Sequence, residues 1–281
     1  MLSYQHSYHA GNHADVLKHI ILGEVVAGMQ KKETPIFLLD AFASRGIYDL
    51  NSPEAQKNRE FETGIARLWA LRNDPHPLGV ARWFKLIEQK NSDGDFSHLP
   101  GSTALLAAMM RPQDRLAACD LHPQEFEGLQ ASFKSSRNLA LHKRDAFEAM
   151  KALLPPKEKR GMVFLDPSYE EKGEYRKLAT AVAKVYSRFA GGVYVVWYPL
   201  LPAANHNELF AVLRRAGIRK ILRIELDCHG AFPQMQMQGS GMLIVNPPWA
   251  AEDAMKASLH WINTHLLSGK GKTHFGWLVP E

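Results

Sequence analysis

The feature that most constrains the fold is an alternation of short apolar runs with longer helical patterns. Four runs, at residues 36–40, 115–120, 162–166 and 192–197, are too short for helices and end in polar residues, glycine or proline, which is typical of buried strands. Helical patterns occupy residues 14–30, 103–110, 123–133, 175–189 and 206–216. The alternation predicts an α/β fold built on an open, mostly parallel sheet.

Two regions depart from this alternation. Residues 50–98 show no strand pattern, and the spacing of their aromatic residues suits helices. We predict a single domain over residues 1–281 with a helical subdomain, residues 50–98, inserted within it. Near the end of the chain, residues 221–226 and 241–245 predict two antiparallel strands.

The composition excludes several classes of protein. A chain of 281 residues with 46% hydrophobic and 22% charged residues buries a full core and is neither disordered nor fibrous. Cys119 and Cys228 lie within apolar runs, which is evidence against a disulfide framework. No apolar stretch reaches the roughly 18 residues of a membrane span, and the first residues lack the apolar core of a signal peptide. We therefore expect a cytoplasmic protein.

The basic residues are concentrated in one region. Between residues 172 and 223 there are ten basic residues and two acidic ones, a local charge of +8 in a chain whose net charge is +5. Such a region favours a polyanionic partner, because neutralising phosphates releases counterions. An ordinary solvated helix surface explains the charge equally well.

Acidic residues end three of the four predicted strands. These are Asp40, Asp120 and Asp166, and Asp145 follows a further strand pattern. Because open α/β sheets bind ligands beyond the carboxyl ends of their strands, we expect these carboxylates at one ligand edge. Each acid alone is more often a cap or turn residue. Together they indicate an S-adenosylmethionine site, in which Asp120 binds the ribose hydroxyls and Asp145 the adenine amino group. The missing Gly-x-Gly-x-x-Gly motif argues against a dinucleotide.

The most specific motif is Asp166-Pro167-Ser168-Tyr169 at the end of an apolar strand. The exocyclic amine of a base is a poor nucleophile, because its lone pair is delocalised into the ring. Hydrogen bonds to the Asp166 carboxylate and the Pro167 carbonyl would pull the nitrogen towards tetrahedral geometry, while Tyr169 stacks on the base. The motif therefore indicates methyl transfer to a planar amine. A strand that ends in a proline turn is the structural alternative.

Further motifs extend along the whole chain. They are MLSY at 1–4, HAGNHADVLKH at 9–19, PGS at 100–102, LHP at 121–123, WYP at 197–199, GIRKI at 217–221, SGM at 240–242 and NPPW at 246–249. With these motifs the chain resembles the RlmJ family of 23S rRNA adenine-N6 methyltransferases, up to its last residues, VPE at 279–281. The resemblance implies a Rossmann-like class I methyltransferase (EC class 2.1.1) with a seven-stranded sheet whose last strand is antiparallel. It also implies S-adenosyl-L-methionine as cofactor and the N6 amine of an adenine in 23S rRNA as substrate, and hence RNA binding and a part in rRNA processing.

The resemblance also implies roles for individual residues. Asp166, with Pro167 and Tyr169, would be catalytic, and Asp166 would also border the cofactor. The cofactor would contact His19, Ser102, Asp120, Asp145 and the Ala146 amide, to which the loop after the first strand adds Asp40 and Gly46. Tyr4, His6 and Lys18 would meet the extruded base and its phosphate.

The chain departs from the family pattern at several positions. Phe42 replaces a usual histidine, Ser168 a usual second proline and Asp120 a usual glutamate, and Ser44 and Arg45 would narrow the cofactor loop. Two alternatives therefore stay open. One is an enzyme that acts on adenine in DNA, or a protein linked to the use of external DNA. The other is a nucleic-acid-binding protein whose cofactor site has decayed.

We expect no metal site and no stable protein partner. His9 and His13 are four residues apart, as metal ligands on one helical face would be, but no cysteine or paired acid completes a site. No coiled-coil pattern indicates a dimer, so we expect a monomer. The expected partner is 23S rRNA, with no membrane association.

Overall fold

A computed structural model of the chain describes residues 4–91, 96–133, 138–171 and 173–281. Met1, Leu2 and Ser3 of the first motif and Lys172 of the basic region lie outside the described residues. The strands within those ranges are β1 (Phe37–Asp40), β2 (Ile47–Asp49), β3 (His98–Pro100), β4 (Arg115–Asp120), β5 (Leu139–Lys143), β6 (Gly161–Leu165), β7 (Val193–Leu200), β8 (Ile221–Asp227), β9 (Gly239–Val245) and β10 (Lys272–Val279).

Ten α-helices are found in the same described ranges. They are α1 (His13–Met29), α2 (Pro53–Asn58), α3 (Ile65–Trp69), α4 (Leu78–Lys90), α5 (Ser102–Met109), α6 (Pro123–Ser132), α7 (Ala146–Leu153), α8 (Glu174–Tyr186), α9 (His206–Arg215) and α10 (Glu252–Leu266). Short 3-10 helices occur at His6–Tyr8, Glu60–Thr63 and Trp249–Ala251. The five predicted helices are confirmed as α1, α5, α6, α8 and α9, and the four predicted strands as β1, β4, β6 and β7.

The main sheet has the order β10-β8-β9-β7-β6-β1-β4-β5. The five neighbouring strands β7, β6, β1, β4 and β5 are parallel to one another, which confirms the α/β class. Strand β9 runs antiparallel to both β7 and β8, which confirms the predicted antiparallel pair near the end of the chain. The prediction of seven strands was wrong, because β10 adds an eighth strand antiparallel to β8. The sequence does not predict β10, because it is an edge strand and most of its side chains are at least partly exposed.

Helices cover both faces of the sheet. Successive residues of a strand point to opposite faces, so Leu38 belongs to the core beneath α1, α4, α5 and α10, whereas Phe37 and Leu39 belong to the core beneath α7, α8 and α9. All residues of β1 and β6 are buried, as expected of central parallel strands. Their carboxyl ends therefore open between two helical layers.

The region from 50 to 98 is helical where it is described, since it contains α2, α3 and α4. It is bordered by a two-stranded antiparallel ladder of β2 and β3, which the sequence did not predict. Trp83 and Phe84 of α4 are fully buried and join the core beneath α1. Residues 92–95 lie outside the described residues, and the division into one domain with an inserted subdomain stays a prediction.

Both cysteines are buried and free, as their apolar surroundings indicated. Burial raises the pKa of the Cys119 and Cys228 thiols to about 12, so neither is a reactive thiolate near neutral pH. Within the described ranges, no helix has both the length and the apolar character needed to cross a bilayer.

Helix α1 is buried along nearly its whole length, since all its residues except Ala27 are buried. The Asn12 side chain caps its first turn by accepting hydrogen bonds from the Ala14 and Asp15 amides. The helix nevertheless carries polar side chains, because its first two turns face the carboxyl edge of the sheet. Both ring nitrogens of His13 lack a hydrogen-bond partner among the described residues.

The buried histidines of α1 predict acid sensitivity. Burial lowers the pKa of His13 from 6.5 to about 4 and that of His19 to about 3, so both rings are neutral in the folded protein. The unfolded chain binds these protons below pH 6.5, so stability is lost as the pH falls from 6.5 towards 4. For His13 alone, the loss between pH 7 and pH 5 is about 2 kcal/mol.

We expect the His13→Leu variant, which lacks one titrating ring, to lose less stability than the parent protein between pH 7 and pH 5. Urea denaturation at the two pH values measures the difference. An equal loss in both proteins would show that His13 does not contribute.

Candidate active site

A cavity of about 230 Å³ lies at the carboxyl ends of β1, β4, β5 and β6. Its walls come from the loops that follow these strands and from the first two turns of α1. Nine of the predicted site residues line it: Tyr4, His6, Lys18, His19, Ser102, Asp120, Asp145, Ala146 and Asp166. Four others, Asp40, Gly46, Pro167 and Tyr169, are not among its lining residues.

A chain of hydrogen-bonded polar groups links Asp166 to α1. The Lys18 ammonium lies 2.6 Å from Asp166 Oδ2 and 2.8 Å from Asp15 Oδ1. Asp15 Oδ2 in turn accepts hydrogen bonds from the Gly11 amide at 2.8 Å and from His6 Nε2 at 2.9 Å. Since a carboxylate only accepts, His6 Nε2 carries the proton, and its Nδ1 is placed to accept from the Tyr4 hydroxyl at 2.9 Å.

One cation lies between two anions in this chain of groups. Burial opposes both ions, but the Asp15 and Asp166 carboxylates raise the pKa of Lys18, which is only 2% exposed. Burial also disfavours the charged form of Asp15, but His6 and Lys18 outweigh it and hold the pKa of the Asp15 carboxyl well below its usual range. Lys18 is therefore an ammonium and Asp15 a carboxylate at neutral pH. The Lys18 ammonium also lies 5.2 Å from the centre of the Trp197 ring, a favourable cation–π distance.

The loop after β1 is held by Asp120 and Glu125. Asp120, the last residue of β4, accepts hydrogen bonds from the Ser44 and His122 amides at 2.8 Å each, and burial raises the pKa of its carboxyl. The Arg45 guanidinium binds both Glu125 oxygens, and the Ser44 hydroxyl donates to Glu125 at 2.6 Å. Arg45 is not among the cavity-lining residues, so its side chain does not narrow the cavity as the sequence suggested.

The wall opposite α1 combines a capped helix start with an apolar pair. Asp145 Oδ1 accepts hydrogen bonds from the Phe147 and Glu148 amides and so caps α7. The rings of Phe42 and Phe147 meet edge-on with centres 6.2 Å apart, and both residues line the cavity. Phe42, which stands where the family pattern has a histidine, therefore gives the cavity an apolar surface in place of a polar contact.

His19 and Ser102 both line the cavity, but their hydrogen bonding differs. His19 is buried and neutral, and its Nδ1 has no hydrogen-bond partner among the described residues. Ser102 begins α5 and donates its hydroxyl to Asp40 Oδ2 at 2.7 Å. The His19 ring therefore offers an unused polar atom to a ligand, whereas the Ser102 hydroxyl is engaged by a buried carboxylate.

Asp40 lies below the cavity. It is fully buried at the end of β1, where the Ser102 and Thr103 hydroxyls both donate to its Oδ2. Burial raises the pKa of the Asp40 carboxyl to about 6. Gly46 has a φ of +79°, and a Cβ there would lie 2.6 Å from the Phe133 ring. Both residues thus shape the loop that borders the cavity.

The end of the Asp-Pro-Ser-Tyr motif is folded away from the cavity. Pro167 is buried, and Tyr169 adopts the left-handed region with a φ of +56°. The Tyr169 ring stacks on Tyr175 with centres 4.2 Å apart, and its hydroxyl donates to the Trp197 carbonyl at 2.5 Å. The structure therefore does not bring the Tyr169 ring to the position that stacking on a base requires.

The N-terminal histidines His9 and His13 lie in separate surroundings and do not form a common site. His9 Nδ1 lies 2.7 Å from Glu60, while His13 packs near the Phe232 ring with unpartnered nitrogens. In the described parts of the chain, no three side chains of the metal-binding types are grouped as ligands.

Comparison with known proteins identifies the family. The model of the family "Ribosomal RNA large subunit methyltransferase D, RlmJ" matches residues 33–279. The chain belongs to the RlmJ family. It is 37% identical to ribosomal RNA large subunit methyltransferase J of Escherichia coli and 40% identical to that of Haemophilus influenzae, over the full length of each protein. The crystal structure of protein LPL1258 from Legionella pneumophila superposes with a TM-score of 0.87 at 35% identity, covering 95% of this chain and 97% of that one.

The structure of this RlmJ-family chain adds residues that sequence reasoning did not assign. Asp15 is the most important, since it joins His6 to Lys18. Its signal was present in the sequence as an acid three residues before Lys18 on a helical pattern, which places both on one face. Glu125 and Phe147 were not predictable in this way, because their contacts with Arg45 and Phe42 join segments far apart in the chain.

We expect Asp15→Ala to destabilise the protein by roughly 3–5 kcal/mol, because it leaves Lys18 and His6 without their shared buried partner. Asp145→Ala is the matched control, since it removes a carboxylate that caps a helix and should cost about 1 kcal/mol. Urea denaturation at neutral pH measures both. Equal losses would mean that the buried chain of charges adds nothing beyond an ordinary cap.

Proposed function

We propose that this protein transfers a methyl group from S-adenosyl-L-methionine to the exocyclic N6 amine of an adenine in 23S rRNA. Membership of the RlmJ family supports rRNA of the large subunit as the substrate. The single observation that carries the choice of an amine is the position of Asp166. Its carboxylate borders the cavity, at the end of a strand, and Lys18 fixes one of its oxygens.

The cavity has donors and acceptors that fit S-adenosyl-L-methionine. Asp120 offers a carboxylate at the end of β4 for the ribose hydroxyls, and Phe42 and Phe147 offer an apolar edge beside Asp145 and Ala146 for the adenine. The unpartnered Nδ1 of His19 offers a further polar contact. When bound, the cofactor supplies an electrophilic methyl group on a sulfonium. Asp40 and Gly46 contribute by holding the surrounding loop.

Asp166 acts on the substrate amine. Its carboxylate accepts a hydrogen bond from the N6 amine and so orients the nitrogen lone pair towards the methyl donor. Once alkylated, the nitrogen is cationic and its proton is acidic. Asp166 accepts that proton, so no strong base is needed before the transfer.

The groups from Tyr4 to Lys18 form the substrate side. Tyr4 lines the cavity and already stacks on His9, so its ring is placed to stack on an extruded base. Lys18 has a different role from the phosphate contact that the sequence suggested. It is enclosed by two carboxylates, and its ion pair holds the Asp166 side chain at the edge of the cavity.

Tyr169 acts through Trp197. Its hydroxyl binds the Trp197 carbonyl, and the Trp197 ring lies over the Lys18 ammonium. We therefore assign Tyr169 a positioning role and give the stacking role to Tyr4.

The two alternatives have less support. Phe42, Arg45 and Ser168 were the reasons to consider a decayed cofactor site, but the cavity is open and Arg45 is turned to Glu125. Activity on DNA has no support from the names of the relatives, which both refer to ribosomal RNA.

We expect Asp166→Asn to bind S-adenosyl-L-methionine within a few-fold of the parent protein and to lose turnover roughly 100-fold to 1,000-fold. Asp120→Ala, the matched control at the same edge of the sheet, should instead weaken cofactor binding. Calorimetry measures binding, and methyl transfer to unmodified 23S rRNA and to duplex DNA, side by side, measures turnover and substrate choice. Near-normal turnover in Asp166→Asn would overturn the mechanism.

We expect Lys18→Met to lower turnover roughly 100-fold while the dependence of RNA binding on salt stays unchanged, because its charge is already compensated by Asp15 and Asp166. Lys32→Met, which removes an exposed charge at the opposite edge of the sheet, controls for net charge. If the salt slope of RNA binding fell by about one in Lys18→Met but not in Lys32→Met, Lys18 would be a phosphate contact after all.

A further inference from the structure

A second groove lies beside the cavity, between α7 and α8. We call it the α7–α8 groove and define it by its five cationic residues: Lys151, Arg176, Lys177, Lys184 and Arg188. All five side chains are exposed. Phe147, Ala181 and Val185 also line the groove and give it an apolar floor.

The charge of this groove is almost entirely positive. Among its described lining residues the single acid is Asp145, whose Oδ1 caps α7. Arg176 is paired with Glu208 at 2.6 Å, and Lys177 is 4.0 Å from Glu171. Lys151 and Lys184 form no ion pair with any described residue. Clustered cations repel one another in the free protein, and a polyanion relieves that repulsion.

The α7–α8 groove is continuous with the active-site cavity. Asp145, Phe147 and Lys177 line both. The Lys177 ammonium lies 4.8 Å from the centre of the Phe147 ring, which holds it at the junction. The groove therefore begins beside the part of the cavity that we assign to the cofactor's adenine, with Lys177 at the junction.

The spacing of the cations suits a nucleic acid backbone. Lys177 and Lys184 lie on α8 about 10 Å apart, from the rise of 1.5 Å per residue, and Arg188 follows just past the end of the helix. The distance between the two lysines equals about three phosphates of a stacked strand at 3.4 Å each. Part of the basic region at residues 172–223 therefore forms a line of cations, as a polyanion-binding surface would.

We propose that the α7–α8 groove binds the phosphate backbone of the RNA strand that carries the target adenosine. Lys151, Lys184 and Arg188 contact phosphates outside the cavity, without reading bases. The inference rests on the proposed function, because it takes the substrate to be RNA. It assigns the affinity for that RNA to a surface separate from the groups that hold the amine.

The test is the double variant Lys184→Ala/Arg188→Ala. Its control is Lys31→Ala/Lys32→Ala, which also removes two exposed cations but at the opposite edge of the sheet. Unmodified 23S rRNA is the probe. We expect the groove variant to raise KM for RNA roughly tenfold and to lower the salt slope of RNA binding by about two, with kcat at saturating RNA and cofactor binding unchanged. The control should change neither parameter.

Each outcome is informative. A groove variant that matches the control in KM and salt slope overturns the proposal. If the parent protein methylates no rRNA, the proposed function fails, and the binding arm still reports whether the groove holds RNA. Cofactor binding and the urea midpoint verify that the groove variant is folded.

Discussion

The structure depends on a buried ion network, in which Lys18 bridges Asp15 and Asp166. Removing three charges from water costs several kcal/mol per ion, and only close geometry with further hydrogen bonds compensates it. The Gly11 amide and His6 supply those bonds on one side, and the Trp197 ring adds a cation–π contact on the other. The network ties the first turns of α1 to the end of β6. It thereby fixes the carboxylate on which the proposed chemistry depends.

The sheet explains why this network meets the remaining site residues. Parallel strands present their carboxyl ends at one edge, so Asp40, Asp120 and Asp166 come together although 126 positions separate the first from the last. Their roles differ because their surroundings differ. Asp40 is fully enclosed and accepts hydrogen bonds from the first residues of α5. Asp120 is half-buried and accepts from two backbone amides, and Asp166 borders the cavity beside an ammonium.

Affinity and chemistry occupy different surfaces in this arrangement. The cavity combines aromatic rings with carboxylates in its walls, which suits a base and a cofactor. The α7–α8 groove is open, basic and mostly unpaired, which suits a backbone of phosphates. Such a division lets a strand bind through its backbone while one nucleotide is extruded into the cavity, because phosphate contacts position a strand without selecting its sequence.

By itself the sequence determined the α/β class, five of the helices, the central strands of the sheet, and nine of the residues that line the cavity. It could do so because strand and helix periods are local, and because acids at strand ends share an edge in any parallel sheet. Only the tertiary structure decided that β10 adds an edge strand, that Lys18 faces two carboxylates, and that Tyr169 turns to Tyr175. These outcomes depend on contacts between residues far apart in the chain, such as Lys18 with Asp166, for which local patterns carry no information.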